Sequence, residues 1–163
     1  MRPIHQSFSG DDPGSDAAAA ELLRQAAAET LAVLPAPDLV ARLEGCIVAL
    51  ERALRLRDTA AIRQRKNEFF EAFARGGHSV ALPRFLQQLN ARLSFLWTSS
   101  LRLPGRPEES IAELKTLLAA IKARNPEVAH AAIVIYNSHA REVSLQGLRA
   151  LYAERRGEFD DTP

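Results

Sequence analysis

Apolar positions recur at helical spacing along most of the chain. An Ala-rich stretch over residues 17–34 follows Asp16, which stands where an N-cap is expected, and Pro35-Ala36-Pro37 ends it. Asp38 then caps a second helix with the stripe Leu39, Leu43, Ile47, Leu50 and Leu54. Asp58-Thr59 opens a third, carrying Ile62, Phe69 and Phe73 as far as Gly76-Gly77. A fourth runs from about residue 82 to 101, with Leu82, Leu86, Leu89, Leu93, Leu96 and Trp97 on one face. Pro104-Gly105 and Pro107 mark a turn, after which Ile111, Leu114, Leu118 and Ile121 form the stripe of a helix over residues 108–123. Asn125-Pro126 stops that helix and starts the last, which continues past Leu145. No segment alternates as a strand does. Six helices joined mostly by short loops predict an all-α antiparallel bundle.

Bulk properties narrow the picture. A chain of 163 residues is long enough for one domain with a real core, and 47% hydrophobic with 25% charged residues is the composition of a soluble globular protein. Residues 1–15 and 157–163 read as a disordered leader and tail, leaving 16–156 as the folded domain. The formal charge of +1 is neutral on nucleic acid, and the densest basic segment, residues 52–66, reads as the solvated face of helices. One cysteine, Cys46, excludes an internal disulfide and fits a reducing cytoplasm. No segment reaches the roughly 18 apolar residues of a membrane span, and the start lacks the pattern of a signal peptide. No nucleophile triad, phosphate loop or dinucleotide fingerprint is present, so the chain does not read as an enzyme.

Residues 103–132 closely resemble the last two helices of the FCD domain, the effector-binding domain of FadR-subfamily GntR transcription regulators. The Pro104-Gly105-Arg106 turn, Ser110, Glu113, the run Leu117-Leu118-Ala119-Ala120-Ile121 and residues 125–129 fall in register with that family. The resemblance extends over roughly residues 38–142, with Phe69 at the Phe of the family's Phe-His pair; the Ala-rich first helix matches poorly. It implies a helical domain that binds a small organic acid and dimerises. It also implies a winged helix-turn-helix, for which the roughly 37 residues before Asp38 leave no room. The chain is therefore expected to be a fragment or a stand-alone effector domain with no DNA contact of its own. Its partners would be a small carboxylate and a second copy or a full-length regulator, with no membrane contact.

Many FCD domains hold a divalent cation with an Asp or Asn and three histidines. The corresponding positions here read Lys66, Phe70, Leu114 and Tyr136, a set with no conventional ligand beyond the rarely used Tyr. His5, His78, His130 and His139 form no i, i+4 pair, so neither metal nor other cofactor is expected. At about 100° per residue, Lys66 falls in the middle of the apolar arc of Ile62, Phe69, Phe70 and Phe73. Tyr136 and His139 share a face with Val128, Ala131, Ala132 and Ile135. One reading makes Lys66 the metal's replacement, binding an effector carboxylate with Tyr136 and His139 as hydrogen-bond partners and Phe70 and Leu114 as walls. The other has Lys66 reaching solvent on its long stem or pairing with Glu68 or Glu113. Arg92 at the edge of its stripe is a second carboxylate clamp or a solvated arginine. Phe95 and Trp97 are pocket walls or plain core. The rival to a sensing domain is a helical interaction module whose pocket Phe70 and Leu114 fill.

Overall fold

A computed structural model describes residues 13–77, 79–100 and 103–160; side chains 13, 94–100, 148, 150, 151 and 154–160 stand outside the description. Six helices follow one another: α1 (Pro13–Val33), α2 (Pro37–Arg55), α3 (Thr59–Arg75), α4 (Ala81–Ser100), α5 (Arg106–Lys122) and α6 (Pro126–Asp160). Among the described residues there is no strand. The all-α antiparallel bundle is the architecture that the apolar spacing predicts.

Cross-helix polar contacts fix the directions. Glu51–Lys115 and Glu44–Lys122 run α2 antiparallel to α5. Glu113–His139, with the short connection between Lys122 and Pro126, does the same for α5 and α6, and Arg24–Asn137 with Glu21–Arg141 for α1 and α6. The Ala-rich α1 lies at the centre, packed on α3, α4, α5 and α6. Its buried residues Ala20, Ala27, Ala28 and Ala32 carry little bulk, so four neighbours approach its backbone closely. The core between the helices is closed by Leu43, Leu50, Phe69, Phe73, Leu114, Leu117, Ile121 and Ile133.

The helix ends sort the expected caps. Asp58 caps α3, its carboxylate accepting from Ala61 N at 2.9 Å. Asn125 caps α6 by accepting from Val128 N at 3.1 Å. Asp16 and Asp38 are not caps: α1 already starts at Pro13, and Pro37 takes the first position of α2 after an extended Ala36. Both acids lie in the first turn, where they meet the positive end of the helix dipole. Gly105 opens α5 with φ +79°, a left-handed conformation that costs a non-glycine residue about 1 kcal/mol. At its far end α6 runs on to Asp160, into the stretch read as a tail.

The inward face of α6 is turned relative to the expectation. Ala129, Ala132, Ile133, Tyr136 and Asn137 are buried, whereas Val128 and Ile135 are 47% and 51% exposed. A polar residue, Asn137, displaces apolar ones from the interior because α1 presents a buried arginine to it.

Candidate functional site

The middle of the bundle contains charge. Arg24 on α1 is 3% exposed, and its guanidinium donates to Asn137 Oδ1 on α6 and Asn90 Oδ1 on α4, each at 3.3 Å. It also lies 4.6 Å from the centroid of the Phe70 ring, a cation–π distance. Burial pulls the Arg24 pKa below its ordinary value, which the Tyr136 hydroxyl and Glu21 partly offset. Asn137 is oriented in turn by donating to the Glu21 carbonyl at 3.4 Å.

A second cation approaches the same aromatic group. The Lys66 ammonium, half-buried on α3, lies 5.5 Å from the Tyr136 ring centroid. Tyr136 is buried and packs against Phe70 with centroids 5.2 Å apart. Burial alone would raise the phenol's pKa. The charges of Lys66 and Arg24, with a hydrogen-bonding contact from Lys66, bring it below the usual tyrosine value instead. Ser110 on α5 is fully buried, and its hydroxyl faces Tyr136 without closing a hydrogen bond. The alternative partners for Lys66 are engaged elsewhere: Glu68 bonds Arg65 at 2.6 Å, and Glu113 bonds Arg106.

A cleft of about 260 Å³ lies between α3 and α4 beside this centre. Asn67, Phe70, Leu86, Gln87 and Asn90 are among its walls. Phe70 and Asn90 are also contacts of Arg24, so the cleft ends against the group of residues that hold the guanidinium.

Of the residues singled out from sequence, Lys66, Phe70 and Tyr136 come together here, and Leu114 is wholly buried on α5. Two lie apart. Arg92 is 45% exposed and bonds Asp16 at 2.9 Å. His139 is 54% exposed and bonds Glu113 at 2.6 Å, on the wall of a separate α5–α6 groove with Glu109 and Glu142. The side chains of Phe95 and Trp97, together with His5 and His78, fall outside the described residues. His130 pairs with Glu29 at the surface. Cys46 is half-buried, and burial raises its thiol pKa.

The residues that sequence reasoning passed over are Arg24, Asn90 and Asn137. An arginine four residues beyond Ala20 on an otherwise apolar Ala face was the available signal. The turn residue Arg106 was also missed as a structural element. It is 4% exposed and forks onto Glu113 at 3.0 and 2.9 Å. Burial works against its charge, but the hydrogen bond and charge of Glu113 outweigh that and raise its pKa.

A divalent metal does not fit the centre. Lys66, Phe70, Leu114 and Tyr136 supply an ammonium, two apolar groups and a phenol where carboxylate and imidazole ligands are needed. Among the described residues no group of three or more His, Cys, Asp and Glu side chains could hold one. Among the described residues no helix is long and apolar enough to cross a membrane.

No individual curated protein matches the chain significantly. The profile of the FCD domain family matches residues 17–137, which takes in α1 through the first third of α6. The match includes the Ala-rich helix that the motif resemblance left out, and the buried Arg24 on that helix belongs to the matched region. By the extent of this match, the chain belongs to the FCD domain family.

Proposed function

We propose that this chain is the effector-binding and dimerisation domain of a GntR/FadR-type transcription regulator, sensing a small organic acid without a metal. One observation carries the reading: two cationic side chains, Arg24 and Lys66, flank the Tyr136 phenol in the middle of the bundle. In this reading an organic carboxylate enters past Phe70 and Asn90, where the α3–α4 cleft ends, and Arg24 and Lys66 beyond them supply the charge a cation would otherwise contribute. Tyr136 and Ser110 offer hydroxyls beside them. Phe70 and Leu114 are walls in this reading; Arg92 and His139 have no part in the anion site.

Effector binding would act by linkage, favouring one arrangement of a dimer over another. The groove between α1 and α4, where Leu22 and Phe85 are 65% and 56% exposed, supports the dimerisation half of the proposal. Thermal shift with a panel of small carboxylates, run with and without a chelator, tests the reading. Stabilisation of several degrees at millimolar ligand, unchanged by the chelator, is expected.

The close packing of Phe70 on Tyr136 and the complete burial of Leu114 favour a second reading, a non-sensing dimerisation module with a filled pocket. A flat panel combined with a tight dimer in sedimentation would establish that reading instead.

A further inference from the structure

The fold divides the basic segment 52–66 into groups with different fates. Lys66 turns inward to Tyr136, and Arg65 pairs with Glu68. Arg52, Arg55, Arg57 and Arg63 are all exposed, grouped about the turn between α2 and α3. None of the four joins an ion pair among the described residues. The acids beside them bond elsewhere: Glu51 bonds Lys115 at 2.8 Å, with Arg55 acting on it only through its charge, and Asp58 caps α3. Arg57 is held at φ 54°, in the left-handed region, by the hydrogen bonds that end α2, its own N–H to Leu54 O and that of Asp58 to Ala53 O.

We propose that the α2–α3 turn is a sequence-independent contact for the phosphate backbone of duplex DNA. The chemistry favours a phosphate polymer over a folded protein. All four groups are guanidinium forks, which match phosphate oxygens. The only large apolar group among them is Leu56, 68% exposed, so the patch lacks the buried anchors on which protein interfaces depend. Duplex DNA has a higher line density of charge than a single strand and releases more counterions per contact. With no aromatic side chain at the turn to stack on a base, the contact reads no sequence. This departs from the expectation that the chain makes no DNA contact, and it stands independently of the effector site.

Fluorescence anisotropy of a labelled duplex with the full chain tests it. Four phosphate contacts predict binding that weakens about a hundredfold between about 50 and 200 mM salt. Arg52→Gln/Arg55→Gln is expected to weaken binding about tenfold or more and to lower the salt slope by about two. Arg84→Gln/Arg124→Gly removes the same charge from exposed positions at the opposite end and is expected to change affinity less than about twofold. Absence of binding at low salt, equal loss in the two variants, or equal competition by a poly-glutamate peptide would each overturn the proposal.

Discussion

Replacing Glu113 by Ala removes the one carboxylate that forks onto Arg106. The side chains of the pair are 4% and 13% exposed, with both hydrogen bonds at 3.0 Å or less. Truncating one partner of such a pair leaves the other charge buried and uncompensated, at a cost of about 3–5 kcal/mol. Glu109 stands 3.5 Å from the same guanidinium but is 69% exposed, so it offsets at most about 1 kcal/mol. The expected loss is therefore at the lower end, about 3 kcal/mol, or roughly 6–12 °C in melting temperature for a chain of this size. Removing both charges together, as in Arg106→Met/Glu113→Leu, leaves no orphan and should recover most of that loss. His139→Ala removes only the half-exposed partner of Glu113 and should cost less than about 1 kcal/mol. Urea unfolding of the single and double variants gives the coupling directly. If Glu113→Ala costs under about 1 kcal/mol, or the double variant is no more stable than the single, Arg106 does not depend on Glu113 as described.

Two further outcomes follow from the packing and the electrostatics. A Cβ at Gly76 would run into the side chains of Leu31 and Leu39, where α1, α2 and α3 converge. Gly76→Ala should lose about 1–3 kcal/mol in urea unfolding, and a neutral result would show that those leucines repack freely. Tyr136 has a depressed pKa in the folded state. A phenol of that kind adds stability that is fully present above its unfolded value of about 10 and is lost as pH falls through the folded value. Ultraviolet titration at alkaline pH should show an early phenolate that is absent in Tyr136→Phe and moves upward in Lys66→Met; an unmoved titration in Lys66→Met would remove Lys66 as the cause.

Helical spacing made the fold legible because each stripe is long and apolar. The same periodicity placed Lys66 and Tyr136 toward the interior, since a polar residue inside an apolar arc is visible as an exception. Arg24 and Asn137 were not legible, because each is meaningful only with the other: alone, an arginine and an asparagine on helices read as solvated. Their pairing also turned the inward face of α6, exposing Val128 and Ile135. Asp16 and Asp38 misled because a carboxylate near a helix start serves equally well in the first turn, where the dipole rather than a cap holds it. Arg106 and Glu113 carry the family resemblance, yet their physical link needs the long arginine side chain to reach two turns along α5 to a carboxylate seven residues on.

Whether the centre of the bundle binds a carboxylate through protein cations is decided by isothermal titration of the strongest carboxylate from the thermal panel, in the presence of a chelator. Binding should persist with the chelator and weaken about tenfold or more in both Lys66→Ala and Arg24→Gln. Affinity that disappears with the chelator, or that both variants leave untouched, would mean that the charges around Tyr136 are not the anion's site.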